Sequence, residues 1–436
     1  MKPSEWTWNS ASAGVDTDVV VVGGGMSGIA AALAARRSGC RVLLAERHGF
    51  LGGAATAGSV AQFVGWATRA GRRVVRGIAG EIADRLEAAG GAAGFDVFTM
   101  STGHRMDRLQ YDPEILKVVL DTMLLEAGVT VLFHCALADI AANDGRVSAL
   151  RIATQKGALE IRGTVFIDAS GDMALLDAAG ARFLERQPEG LQPATMMFAM
   201  APVDFAEIAA LDDARRKAVI AKGLASGDLP RAALHYSRVP GSDIAWFNIS
   251  RVNVDAADPF SMSAGEMEGR RQALRIAGFL RENLPGCARA RLVQTAPQLG
   301  IRDTRRVAGD HVLSARELRA GQAFEDTICC GAYPIDIHHP DGGGLTIEEF
   351  GEDHFYRIPL RSLLPEGLVN VAAAGRGISA EADAFAALRV MPTAMATGQG
   401  AGTAAALAVG AGGSYRGIDV GDLQARLRDA GAFLGN

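Results

Sequence analysis

Two hydrophobic periods alternate along this chain of 436 residues. From Asp18 the run DVVVV is unbroken and β-branched, the pattern of a strand buried on both faces. It turns through Gly23, Gly24 and Gly25 into an alanine-rich stretch with helical spacing, then returns to a second apolar strand, VLLA, ending at Glu46. Strand, helix and strand in that order predict a βαβ unit. A further helix is expected around 80–89. At Tyr111-Asp112-Pro113-Glu114 another helix opens, with Asp112 as N-cap and Pro113 at its first position, and Gly128 stops it before a strand at 129–133. A strand-rich meander follows with a turn at Asn143-Asp144-Gly145; its last strand, 165–168, runs into Ala169-Ser170-Gly171-Asp172.

From about Arg186 to Ile337 the pattern shifts. Strand-like stretches at 195–200 and 244–254 alternate with helices at 205–224 and 263–282, and Ser263/Glu266 and Ser314/Glu317 have capping-box spacing. Arg270, Arg271, Arg275 and Arg281 on the long helix read as a solvated face. Near the C-terminus a strand precedes Gly375-Arg376 and a helix follows Met391-Pro392, where proline needs no donor and pre-sets φ. Gly398, Gly400 and Gly402 are expected to pack that helix against the sheet.

The glycines of the first unit carry chemistry. Gly23, Gly25 and Gly28 occupy G-x-G-x-x-G positions: the first for a tight turn, the second so that a diphosphate can approach the backbone, the third for close helix–strand packing. The helix start, with Met26 and Ser27, offers free N–H groups and a positive dipole end to phosphates. Glu46 can accept hydrogen bonds from ribose hydroxyls and would repel a 2′-phosphate. The cofactor half so read is an adenosine diphosphate. No second such unit exists, so no separate nicotinamide-nucleotide domain is expected, and electrons exchange with oxygen, a quinone, a redox protein or a second small molecule in the same pocket.

Composition narrows the rest. Hydrophobic residues make up 49% and charged residues 21%, which excludes disorder. The net charge of −5, with arginines interleaved among acids, leaves no nucleic-acid footprint. Five cysteines without a C-x-x-C pair signal neither disulfides nor a thiolate metal site and fit a reducing cytoplasm; Cys329 and Cys330 read as buried, inert thiols. The first 18 residues have no apolar core of signal-peptide length, and no later run predicts a membrane span.

Three segments resemble the FAD-dependent oxidoreductase family. RHGFLGGAATAG, which includes Arg47, Gly52, Gly53, Ala54 and Thr56, is similar to the segment laid along the diphosphate and ribityl chain of flavoproteins with a glutathione-reductase-like fold. The meander with Ala136, Ala169, Gly171 and Asp172 looks like the second half of that flavin domain. GLVNVAAAGRGISAEADAFAALRVMPTAMATGQG, with Gly375, Arg376, Met391, Thr393 and Ala394, resembles the closing segment whose helix points at the flavin pyrimidine. The resemblance implies an α/β fold: a glutathione-reductase-like Rossmann FAD domain built from discontinuous segments, 18–185 and 341–436, with an inserted α+β substrate domain at 186–340 and a tail at 1–17. It implies FAD as cofactor and hydride transfer between a small-molecule substrate and flavin N5, as dehydrogenase or oxidase. A reductase of an activated C=C bond is the nearest alternative. Others are a non-redox binding protein on the same fold and a flavin-dependent RNA-modifying enzyme, which the lack of a basic face disfavours.

The segment 331–365 concentrates the polar groups that the resemblance sets before the flavin: Tyr333, Asp336, His338, His339, Glu348, His354, Tyr356 and Arg357. On an extended backbone His338 and His339 diverge, and His338 is taken as the proton acceptor. A metal site from Asp336, His338, His339 and Asp341 is disfavoured by that divergence. Arg302 and Arg305 could grip a substrate carboxylate, with ion pairs to Asp303 or Asp310 as the structural alternative. Arg389 and Glu381 are further pocket candidates. His48 suggests a covalent flavin link, but free FAD is expected.

Overall fold

The computed structural model describes residues 14–99, 105–186, 190–340 and 344–435. Its central sheet has seven strands. The first, Val15–Val22, pairs in parallel with Val42–Ala45 on one side and with Gly157–Asp168 on the other, and Val42–Ala45 pairs in parallel with Thr130–Leu132. Gly157–Asp168 is long enough to serve two partners. Its C-terminal end pairs in parallel with Val371–Ala373, while its N-terminal end turns antiparallel through Arg146–Thr154 to Ala136–Asn143. The Asn143-Asp144-Gly145 turn joins that hairpin as the sequence implies. Val19, Val20 and Val21 are fully buried, as a strand covered on both faces must be.

Two helices cover one another closely. Met26–Arg37 follows the glycine turn, and Met391–Gly410 runs against it. A Cβ on Gly398 would lie 2.1 Å from the Ser27 carbonyl oxygen, and one on Gly402 would lie 2.1 Å from that of Ala31. These two glycines therefore face the first helix's backbone rather than the sheet. Gly400, on another side, meets Ile328 of the strand Thr327–Gly331.

Apolar residues separate into two main cores. The first unites the parallel sheet, these helices and residues 307–435; the second spans residues 194–299 with Ala61 added. The second layer is thus narrower than the expected 186–340, because Val307, Leu313, Leu318 and Ile328 join the first core. It is a four-stranded antiparallel sheet in the order Tyr236–Arg238, Ala245–Phe247, Phe198–Ala201, Arg291–Thr295, with the helix Pro259–Asn283 beside it.

Several boundaries differ from the pattern-based expectation. The helix expected at 205–224 is two, Phe205–Ala209 and Asp213–Ser226, each with an aspartate N-cap. Pro259–Asn283 starts before Ser263 because Asp258 caps it and Pro259 pre-sets its first turn; Ser263 instead donates to the Pro259 carbonyl. The Ser314/Glu317 capping box and the Asp112–Pro113–Gly128 helix form as read. All five cysteines are free and buried, and burial pushes the Cys330 thiol up to about 12. No described helix is long and apolar enough to cross a membrane.

Replacing Gly402 by alanine is expected to destabilise the protein by about 1–3 kcal/mol, because backbone rather than a flexible side chain blocks the new methyl. Gly278→Ala, at a half-buried helix-interior position with nothing within 4 Å of the new Cβ, should gain ~0.5–1 kcal/mol. Urea unfolding of the two variants measures both.

Candidate active site

A cleft begins where three parallel strands stop: Val22 runs into Gly23, Ala45 into Glu46 and Asp168 into Ala169. Ligands of open α/β sheets bind at this edge. Three cavities lie end to end there. The outermost, about 610 Å³, is a slot between Val22, Ala45, Ala136, Leu137 and Ala174. Gly23, Glu46, Arg47, Ser170 and Asp172 are shared with the middle cavity of about 880 Å³. Ala54, Gly300, Ile301, Arg376, Arg389 and Met391 are shared between that cavity and an inner one of about 1050 Å³.

The middle cavity collects most of the residues singled out by motif: Gly23, Gly25, Met26, Ser27, Glu46, Arg47, Gly52, Gly53, Ala54, Ala169, Gly171, Asp172, Arg376, Met391 and Ala394. Ala136 lines the outer slot. Glu46 is anchored by its own turn, Oε2 accepting from the Gly24 N–H at 2.6 Å and Oε1 from the His48 N–H at 2.8 Å. Each oxygen keeps a lone pair for a further donor. Arg376 donates to Asp172 at 2.6 Å and to Thr304 at 2.9 Å, tying the C-terminal segment to the meander. Arg47 and His48 both reach Gln298 Oε1.

Four residues from the same motifs stand outside the cleft. A Cβ on Gly28 would sit 1.9 Å from the Gly23 carbonyl oxygen, so Gly28 serves helix–turn packing. Gly375 is left-handed at φ +79 and packs on Ser27. Thr56 is buried and donates to the Leu51 carbonyl, while Thr393 is wholly buried. They shape the cleft without lining it.

The inner cavity has walls from both cores. His338, Tyr333 and Arg302 line it, with Asp336 and Arg389. Arg357 does not: it donates to the carbonyls of Gly321 and Gly435 and holds the C-terminal tail. The other candidates of this segment also have structural work. Tyr356 donates to the Ala387 carbonyl, His354 meets the Leu318 carbonyl and Glu348 pairs with Arg319. Glu381 accepts from the Ala315 N–H, and Arg305 pairs with Asp177. His339 diverges from His338 on the strand Ile335–His338 and meets Thr346 instead. Asp341 lies outside the described residues.

Side chains missed by sequence reasoning complete the inner cavity: Arg231, His235 and Asn248, all from the second layer. They lie in no motif, and only the antiparallel sheet folds them over the cleft. Arg302 donates to the Pro193 carbonyl at 2.6 Å, to Thr195 at 2.8 Å and to Asn248 Oδ1 at 3.4 Å. Arg231 shares that Asn248 oxygen at 3.3 Å. Burial, with neighbouring guanidiniums, pushes Arg231 down to about 10 and lowers Arg302 further from its ordinary value. Both stay charged at neutral pH.

Asp336 is the hub. Its Oδ2 accepts from the Tyr333 hydroxyl at 2.8 Å and from Arg389 at 3.1 Å, with His338 Nε2 at 3.5 Å. Burial opposes its ionisation, but His338, Arg389 and Tyr333 outweigh burial and hold its carboxyl below the usual range. Burial, then Arg302, pushes His338 down to about 3. Arg251 donates to His338 Nδ1 at 3.0 Å; a guanidinium can only donate, so the ring carries its proton on Nε2, towards Asp336. Both nitrogens are thereby engaged. His235 stacks edge-on to Phe98, and its ring nitrogens bond to no described residue; burial, then Arg231 and Arg108, push it down to about 4.

A family model described as FAD dependent oxidoreductase matches residues 18–427. The chain belongs to that family. FAD is the cofactor of this FAD-dependent oxidoreductase, and the glycine turn fits it: a Cβ on Gly25 would meet only Gly53, at 3.9 Å, and would otherwise stand in the open cleft. Among solved structures the oxidoreductase is similar to a geranylgeranyl bacteriochlorophyll reductase-like protein from Thermoplasma acidophilum, at 12% identity over 95% of this chain and 84% of that one, TM-score 0.47. It is also similar to p-nitrophenol 4-monooxygenase from Pseudomonas putida DLL-E4, at 14% identity, the same coverage and TM-score 0.49. A search of curated proteins finds no match.

The neutral histidines make the protein acid-sensitive in a defined window. The folded-state value of His235, about 4, lies below the ordinary 6.5, so the unfolded chain takes up the proton first. That contribution is full above pH 6.5 and is lost as pH falls towards 4. His235→Gln should flatten the fall in unfolding free energy between these values by up to ~3 kcal/mol, read from urea titrations at stepped pH.

Proposed function

We propose that this FAD-dependent oxidoreductase removes a hydride from a C–H bond beside an oxygen or nitrogen, or next to a carbonyl, of a small molecule held in the inner cavity. The end-to-end cavities carry this reading: a narrow outer slot, a glycine-floored middle and a polar inner chamber suit an adenine, a diphosphate with ribityl chain, and a flavin ring facing substrate. The parallel sheet with its antiparallel meander supports a glutathione-reductase-like arrangement. Glu46 would accept from the ribose hydroxyls, the N–H groups at Gly25, Met26 and Ser27 would meet the diphosphate, and Met391 and Ala54 would border the ring. When bound, FAD supplies the two-electron acceptor.

The chain's own groups handle the proton. His235 lines the cavity and keeps a free lone pair, so the proton released when an alcohol or amine is oxidised is assigned to it, a bound anion beside Arg231 raising its basicity. His338 is held by Arg251 as a hydrogen-bond donor and orients Asp336. This reassigns the role that the sequence suggested for His338.

The visible spectrum of the purified protein, followed by acid precipitation, tests the cofactor arrangement; two flavin bands with pigment released to the supernatant are expected. Anaerobic mixing with alcohols, amines and hydroxy acids should then bleach the bands with one class. His235→Asn should slow bleaching by about 10²–10⁴-fold with the oxidised spectrum unchanged. His338→Asn slowing the reaction while His235→Asn leaves it intact would return the proton to His338.

A further inference from the structure

The inner cavity is electrically unbalanced. Four guanidiniums line it, from Arg231, Arg302, Arg376 and Arg389. Arg376 is matched by Asp172. Among the described lining residues only Asp336 remains as an acid, and it pairs with Arg389. Arg231 and Arg302 find carbonyl, hydroxyl and amide oxygens instead of carboxylates among the described residues. Both are only partly exposed, so water compensates each charge incompletely.

Half-buried cations with no carboxylate partner, set side by side on a cavity wall, suit a ligand that brings the opposite charge. Two further observations point to a ligand. Asn248 Oδ1 accepts from both guanidiniums, so one amide sets them side by side. Arg389 Nε is buried without a partner, as is Asp336 Oδ1, which marks the hub as incomplete. The remaining wall is apolar, with Val64, Phe98, Met106, Leu345 and Val390.

Deepening the proposed function, and resting on it for the identity of the site, we infer that the substrate is an organic acid whose carboxylate is gripped by Arg231 and Arg302 while its hydrocarbon body lies against the Phe98–Met106 wall. The two unmatched cations accommodate up to two negative charges. Guanidinium forks suit carboxylates because two parallel N–H groups meet two oxygens. Neutral molecules of the same shape leave the cations unmatched and are rejected. Bound acid also offsets the field that holds His235 neutral, from Arg231, Arg108 and Arg302 against Asp336, so binding near pH 5 carries proton uptake with it.

The test is calorimetry on the flavin-loaded wild type with benzoate, phthalate and succinate, each against its amide. At least one acid should bind at least tenfold more tightly than its amide and perturb the flavin bands. Arg302→Met and Arg231→Met should each weaken that acid at least tenfold and leave the amide unchanged, with Arg302→Lys recovering part of the loss. Equal binding of acid and amide, or no binding of any acid by protein with normal flavin bands, overturns the inference. A colourless protein that still prefers the acid would sink the flavin reading and leave the anion site standing. Should a variant fail to fold, the acid-to-amide ratio of the wild type decides alone.

Discussion

The cleft depends on how closely two helices approach. Gly398 and Gly402 let the helix Met391–Gly410 lie against the backbone of Met26–Arg37 at Ser27 and Ala31. The first helix is thereby held with its N-terminus at the strand ends, and the start of the second, Met391, borders the same space. Side chains at those glycines would push the helices apart and widen the cleft. Alanine-rich sequence in both helices follows from the same constraint, since only small residues fit between backbones in near contact.

The second layer turns a nucleotide cleft into a chemical site. It contributes Arg231, His235 and Asn248, whereas Arg389 comes from the C-terminal part and Tyr333, Asp336 and His338 from the segment joining the two. Partial burial raises the free energy of each unmatched charge there, and the selectivity proposed for the chamber draws on that potential. Burial, joined by the same field, keeps both imidazoles neutral. Charge selectivity, as proposed, and the neutral state of the imidazoles thus share one source.

What the sequence revealed divides along the range of the interactions involved. The βαβ unit, Glu46, the Asn143-Asp144-Gly145 turn, the Ser314/Glu317 cap and the close-packing glycines are local patterns, and all are present. The fifteen motif residues lining the middle cavity were legible because backbone and turn geometry places them there. Gly28 packs as its motif position implies, whereas Thr56, Thr393 and Gly375 do not line the cleft, because a motif marks a segment and cannot tell a lining residue from its support. Arg357 and Arg305 were attractive as charges and proved to be ties to the tail and to Asp177. Arg231 and His235 were invisible, since only the folded chain brings them to one cavity with Phe98, Arg302 and His338. The Ser263 cap failed for a local reason: Asp258-Pro259 is the stronger start.

The two cores have separate hydrophobic interiors but share one chamber. The strand ends of the cleft belong to the first, and Arg231, His235 and Asn248 of the inner cavity belong to the second. Mutational drift in the second layer can therefore retune which molecule is accepted while the redox apparatus stays intact. Such modularity makes the architecture evolvable: one inherited electron acceptor can serve successive substrates as the single layer 194–299 is rewritten.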